Sequence, residues 1–350
     1  MPARLTPKQV AFDAAVKARR NFDYRGIADL AELRERDPAR GPQLDQLSQL
    51  RDSFNAALAV EGQNIVGDAP HAPFYLDYLD SDTCNAWAFR DDLHSFIGVT
   101  LPLVIEISSI TQRVVDSDAV VSLMGMPLTV DRDTLKGVLF SMLLGFVASH
   151  EYAHHTHGHL VHPKDSRPIV GRLWLQAREA DADGWAAYLV LNLWGLADAR
   201  PVLLKLLSLE NAPPSAQDAV AFACFVVAHA AFVLRHPEPI DKNKVYWETH
   251  PPQPVRLQLM SRFVVKFMNE FRPSVRETLT QPWYQSLMNT LTRLIWTSDN
   301  DAAIWHEQAH CLRAPDGAAY VEALIAELDV FRAVLRQWEA EARAALTRDP

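Results

Sequence analysis

The chain has 350 residues, of which 49% are apolar and 22% charged, the balance of a soluble globular protein that buries a core. Its net charge of −9, with no basic stripe to offset it, argues against a nucleic-acid-binding protein. The three cysteines lie far apart and form no CxxC pair, which argues against a disulfide framework or a cysteine-zinc site and favours a reducing cytoplasm. Residues 1–20 contain no continuous apolar stretch of the signal-peptide type, so the sequence does not predict export.

The N-terminal sixty residues read as two helices. Pro7 follows Thr6 near a plausible helix start, and apolar residues then recur at intervals of three and four. The segment Asp37–Pro42 contains two prolines and a glycine, which separate the first helix from the second. We expect these helices to pack as an appendage to the rest of the protein.

The middle of the chain begins with two short strands and then becomes helical. Asn85–Phe89 and Ser95–Val99 are aromatic and β-branched, and a polar turn joins them. The sequence therefore predicts an α+β protein that is mainly helical with one small sheet. The expected helices, in chain order, are Leu101–Val115, Asp133 to about His157 with Gly158 as its C-terminal stop, Leu173–Leu193, one from Pro201, one through Ala219–Leu234, and roughly Gly317–Leu346. The last helix carries an apolar stripe that is expected to face the core, formed by Tyr320, Leu324, Leu328, Phe331, Leu335 and Trp338. His159–Val170 reads as an exposed loop.

Two apolar runs raise the question of a membrane. Val138–Ser149 and Ala219–Leu234 are both shorter than the roughly twenty residues that a spanning helix needs. Buried core helices are therefore favoured over a membrane-associated hairpin. His229, inside the second run, is interpreted as a core histidine with its polar atoms satisfied.

The residues His150-Glu151-Tyr152-Ala153-His154 form a metal-binding motif. On a helix, two histidines four residues apart lie on one face and can bind one Zn²⁺. Glu151 stands beside them as the general base for a zinc-bound water. The preceding residues, Leu139–Val147, are almost wholly apolar and predict a buried helix, in which low polarity strengthens the effect of the metal.

A third ligand is predicted on the next helix. Glu179 and Asp183 are four residues apart and share a helix face. Glu179 can complete a site of two histidines and one glutamate, with water in the fourth position. Asp183 is then suited to accept the second ring N–H of a ligand histidine. The alternative is an ordinary acidic turn on a solvated helix.

These motifs resemble the HtpX-like group of gluzincin metallopeptidases, which is related to the CAAX-prenyl proteases. The matching features are the HExxH helix, a histidine five residues later, a Glu-x-x-x-Asp helix, an upstream Asn-Ala strand and a downstream His-Pro-Pro with an arginine. In this sequence they correspond to His150–His154, His159, Glu179 and Asp183, Asn85-Ala86, and His250-Pro251-Pro252 with Arg256.

The resemblance covers about Asp82–Met260 and implies a zincin-like core, zinc and peptide hydrolysis. It also implies that His250 and Arg256 either stabilise the oxyanion or brace the active-site helix. Family members carry transmembrane helices and this chain does not, so a soluble member is expected. A weaker similarity, through Gly158-His159 after the motif, is to the phage-exclusion protease Lit, which implies a cytoplasmic protease with one host-protein substrate.

A second HExxH occurs at His306-Glu307-Gln308-Ala309-His310. The residues before it, Thr297–Asp301, are polar, so no buried helix leads into it. Its candidate third ligands, Glu322 and Glu327, have no Asp one turn later. We interpret it as a surface helix with coincidental spacing. His155 and His157, next to the first motif, are expected at a solvated helix end. The alternative for His157, which lies two turns from His150 on nearly the same face, is a supporting role at the metal site.

The sequence thus predicts three consecutive regions: a helical region over residues 1–80, a zincin-like metallopeptidase core over 81–262 and a helical region over 263–350. The predicted function is that of a cytoplasmic zinc endopeptidase, with a protein or peptide substrate added as a strand beside Asn85–Phe89. Two alternatives stay open. One is a defence or toxin-like protease that needs an activator, and the other is a catalytically silent, zinc-containing binding or scaffold protein.

Overall fold

In the computed structural model, helix dominates and a single mixed sheet of four strands is present among the described residues, which confirms the predicted α+β class. The described residues are 5–19, 24–61, 74–91, 93–160, 172–196, 199–235, 237, 239, 245–296 and 298–346. The chain forms two units, each built from separate stretches. The first unit comprises Met1–Glu106, His150–Pro163 and Leu335–Pro350, and the second Ile107–Ser149 and Lys164–Val334. The three consecutive regions of the sequence analysis stay a prediction.

The sheet belongs to the first unit and has the order β1-β2-β4-β3. Its strands are β1 (Tyr24–Ile27), β2 (Phe74–Ser81), β3 (Ala86–Arg90) and β4 (Ser95–Thr100). β2 and β4 are parallel, and the other two pairings are antiparallel. The predicted strand pair is confirmed as β3 and β4, and β3 lies at an edge of the sheet.

The helices of the N-terminal region differ in part from the prediction. Helix α1 (Pro7–Lys17) begins as expected, because Thr6 and Gln9 form a reciprocal capping box at its N-terminus. A short 3₁₀ turn, Pro38–Arg40, confirms the predicted break. The expectation of only two helices is wrong, since β1 follows α1 and the region then contains two helices, α2 (Leu30–Arg36) and α3 (Gly41–Glu61).

Helix α1 covers one face of the sheet. Phe12 and Val16 are almost fully buried and pack in one cluster with Tyr75, Leu79 and Phe96. The Phe12 ring meets the Phe96 ring edge-on at 5.4 Å between centroids. Burial of aromatic rings in this cluster holds the N-terminal region on the sheet. The region is therefore a packed layer of the first unit.

The remaining helices confirm most of the predicted ones. They are α4 (Leu101–Asp116), α5 (Asp118–Leu123), α6 (Arg132–Thr156), α7 (Leu173–Leu191), α8 (Ala199–Leu206), α9 (Pro214–Leu234), α10 (Gln253–Phe271), α11 (Val275–Thr278), α12 (Gln281–Ile295), α13 (Asp299–Arg313) and α14 (Pro315–Leu346). A π-helical turn, Asn192–Leu196, continues α7. The predicted loop lies outside the described residues from position 161 onward.

The second unit is packed around apolar helix faces. Tyr320, Leu324 and Leu328 of α14 are buried in a cluster that also contains Ala177 of α7 and Val255 of α10, as the predicted stripe requires. Helix α9 is long and apolar enough to cross a membrane by length and composition, but 89% of its most apolar window is buried inside the protein. It is a core helix, as the sequence analysis predicts.

Candidate metal centre

The first HExxH motif lies in the last turns of α6, and its two histidines point at one another. The Nε2 atoms of His150 and His154 are 3.1 Å apart. Two nitrogens bound tetrahedrally to one zinc lie about 3.3 Å apart, because each Zn–N bond is about 2.0–2.1 Å. One metal ligand atom each from His150, Glu151 and His154 falls within 4.8 Å of the others. The donor set and its spacing therefore fit a single zinc ion.

The motif is shielded from solvent. His150 and Glu151 are only 9% and 7% exposed, and His154 is partly buried. Groups that hold or activate a metal act more strongly where water does not screen them. A metal cation would add a positive charge beside the buried Glu151 carboxylate and the two converging imidazoles.

The residues that follow α6 hold the His154 ring through its second nitrogen, Nδ1. After α6 ends, Gly158 adopts φ +68° and the amide of His159 donates to the carbonyl of His154 at 3.0 Å, which is a Schellman-type helix end. This turn brings the His159 ring back, so that its Nδ1 lies 2.9 Å from Nδ1 of His154. His154 therefore keeps Nε2 for a metal while its other nitrogen is held by a partner, as ligand histidines usually are.

The sheet fixes the end of α6. Nε2 of His155 donates to the carbonyl of Phe96 on β4 at 2.9 Å, and Phe74 of β2 packs edge-on against His155 and Tyr152. Burial lowers the pKa of His155 to about 4, so the ring is a neutral donor at pH 7. His157 is only 9% exposed. The expected solvated helix end is thus wrong, because α6 ends inside the first unit.

Tyr24, at the start of β1, is a further polar group close to Glu151. Burial is the main cause that raises the pKa of its hydroxyl, and the charge of Glu151 raises it further, while Arg19 opposes both. The phenol is therefore protonated at neutral pH and can donate a hydrogen bond. Its ring meets Trp87 of β3 edge-on at 4.7 Å. Tyr24 was not predicted as a site residue, because β1 was not predicted from the sequence.

The other predicted site residues lie in the second unit, on or near α7 and α10. Arg256 donates two hydrogen bonds to Asp183, from Nε at 2.8 Å and from Nη2 at 2.7 Å. Nε2 of His250 lies 3.4 Å from a carboxylate oxygen of Glu179. Asp183 is 5% exposed, so this ion pair braces α7 against α10, which supports the bracing alternative for Arg256. Glu179 as a zinc ligand and Asp183 as a partner of a ligand histidine stay predictions.

The second HExxH lies on α13 in a different environment. His306, Glu307 and His310 are exposed, whereas Gln308 and Cys311 face the core. Among the described residues, the donor atoms of this motif do not form a converging group. The interpretation as a surface helix is confirmed.

Comparisons with protein-family models, with curated proteins and with solved structures found no match to this chain. The resemblance to HtpX-like gluzincins and the weaker one to Lit therefore stay predictions based on the motifs. The geometry around His150, Glu151, His154 and His159 is the basis for a proposal of function.

Proposed function

We propose that the protein is a soluble, zinc-dependent endopeptidase in which His150 and His154 bind the metal and Glu151 is the general base. The observation that carries the proposal is the 3.1 Å separation of the two Nε2 atoms with the Glu151 carboxylate beside them. Three free cysteines and a buried α9 support a cytoplasmic location.

The chain's own groups account for the proton transfers of hydrolysis. His150 and His154 would hold the zinc ion, whose positive charge would acidify a water molecule and polarise the scissile carbonyl. Glu151 accepts the proton of the attacking water and then delivers it to the leaving amine. His159 holds the ring of His154 in place through both steps.

Two further roles are carried forward from the sequence. Glu179 is proposed as the third ligand, because a catalytic zinc site with water in its fourth position needs three protein donors. A hydrogen-bond donor must also stabilise the oxyanion. His250 keeps that proposed role, whereas Arg256 is proposed to brace α7 because both of its side-chain hydrogen bonds to described residues go to Asp183.

The substrate is proposed to be a protein or peptide bound as an added strand. β3 pairs with β4 on one side and, among the described residues, its other side carries no strand. An extended peptide can satisfy the free N–H and C=O groups of such an edge. A separate activator remains compatible with this chemistry.

Cleavage of a peptide library prepared from a digested proteome, read by mass spectrometry of the new termini, tests the proposal. We expect Glu151→Gln to keep its zinc and to lose about 10²–10⁴-fold in cleavage rate, the usual contribution of a general base. Glu307→Gln, in the exposed motif, is the matched control and should cleave like the wild type. Unchanged cleavage by Glu151→Gln would remove Glu151 from the mechanism. A zinc-loaded wild type that cleaves nothing would favour the scaffold alternative.

A further inference from the structure

A large cavity lies in the second unit among α9, α10, α12, α13 and α14. Its volume is about 690 Å³, within the range of roughly 300–1,000 Å³ that small-molecule sites occupy. Val264, Met268, Met288, Trp283 and Trp305 line much of its wall. The residues of the candidate metal centre do not line it, so the cavity is a separate feature of the fold.

The charged residues around the cavity are all basic. Arg262 and Arg313 line it and are exposed, and no Asp or Glu is among the residues of its lining. Neither arginine forms an ion pair with another residue of the described chain. This bias is unexpected in a protein of net charge −9. It favours a ligand with a negative group over a neutral or cationic one.

A buried polar atom adds a second indication of a ligand. His229 of α9 lines the cavity and is only 2% exposed, between the rings of Phe146 and Phe225. Its Nε2 has no hydrogen-bond partner among the described residues. Buried polar atoms normally have a partner, so an unsatisfied nitrogen in a cavity wall is most simply explained by a bound molecule. The prediction that the polar atoms of His229 are satisfied is therefore wrong for Nε2.

We propose that this cavity binds one apolar carboxylate with a second polar group along its chain, such as a hydroxy fatty acid. The apolar body lies against Val264, Met268 and Met288, and the carboxylate lies at Arg262 and Arg313. His229 offers a hydrogen bond at the inner wall to the hydroxyl group along the ligand's chain, apart from the carboxylate. Guanidinium groups bind carboxylates through charge-assisted hydrogen bonds, which discriminate them from neutral analogues of equal length.

Calorimetric titration of the full-length protein with dodecanoate and with dodecanol, both below their aggregation range, tests this proposal. We expect one dodecanoate per chain and about tenfold weaker binding of dodecanol, the loss of one charge-assisted hydrogen bond. The double variant Arg262→Gln/Arg313→Gln should bind both compounds alike. Arg293→Gln, an exposed arginine of α12 outside the cavity lining, is the control and should bind like the wild type.

Filling the cavity gives an independent test. Met288→Trp should abolish binding of both compounds, and Val265→Trp, at an exposed lining position, replaces it if the first variant does not fold. Equal binding of dodecanoate and dodecanol by the wild type would overturn the proposal. The proposal would also be overturned if binding does not saturate. The same holds if many molecules bind per chain and the cavity-filling variants bind as many as the wild type. The readout needs no peptidase activity, so its failure leaves the proposed function untouched.

Discussion

Two helices of this protein carry the same His-Glu-x-x-His spacing in opposite environments. On α6, His150 and Glu151 are buried and the two imidazoles converge to 3.1 Å. On α13, the corresponding His306, Glu307 and His310 are exposed and do not converge. Spacing places two side chains on one face of a helix, but burial and fixed rotamers decide whether they meet.

The two motifs also differ in the residues that follow them. Gly158 turns the chain back after α6, so that His159 holds His154 from its other nitrogen. Helix α13 ends at Arg313, its cap Ala314 is in an extended conformation, and α14 begins at Pro315. Among the described residues, no third histidine returns to that helix. A metal motif therefore depends on the contacts that hold its ligands as well as on their spacing. Changes at His154 and His159 test this dependence, and changes at Arg256 and His229 test what burial does elsewhere in the protein.

The largest expected effect is on zinc content. His154→Ala should abolish stoichiometric zinc, measured by mass spectrometry of metals after dialysis, because one of the two converging nitrogens is lost. His310→Ala makes the same change in the exposed motif and should leave zinc unchanged. If His310→Ala loses its zinc and His154→Ala keeps it, the metal site lies on α13 and not on α6.

The next effect concerns a buried ion pair in the second unit. Arg256→Gln should lower the free energy of unfolding by about 3 kcal/mol, because it leaves the buried carboxylate of Asp183 without its partner. Arg25, whose ion pairs with Asp80 and Asp82 are exposed, supplies the control. Arg25→Gln should cause no measurable change in denaturant unfolding. Equal effects of the two variants would show that burial does not set the strength of these pairs.

A buried histidine should make stability depend on pH. Burial lowers the pKa of His229 from 6.5 to about 4. The unfolded chain therefore binds more protons between these values, and stability falls as the pH drops from 6.5 to 4, by up to about 3 kcal/mol. Melting temperatures across this window should show a smaller slope in His229→Gln than in the wild type. His306→Gln, at an exposed position, should keep the slope, and an unchanged slope in His229→Gln would contradict the expectation.

The smallest effect concerns the residue that orients a ligand. His159→Ala should weaken zinc binding by about 10–100-fold, the usual cost of removing a partner of a ligand histidine. Competition with a zinc-binding dye measures this change. His159→Gln retains a hydrogen-bonding side chain and should recover part of the affinity. Equal affinities of the alanine variant and the wild type would show that His154 needs no such support.

The parts of the fold with strong local signals were predictable. Thr6 before Pro7, the glycine at 158 and the apolar periodicity of α14 each act within a few residues, and each is confirmed. Strands β1 and β2 were not predicted. β2 contains Asp77 and Asp80, and it is buried along most of its length, so it lacks the alternation that identifies a strand facing solvent on one side.

The sequence by itself determined the helical character, the strand pair β3–β4 and the four-residue spacing of His150 and His154, because these depend on local periodicity and capping. Only the tertiary structure decided that α6 ends in a buried position, that His159 returns to His154, and that Arg256 pairs with Asp183. Those features depend on contacts between distant segments, which local patterns do not encode. The same holds for Tyr24 and for the cavity beside His229.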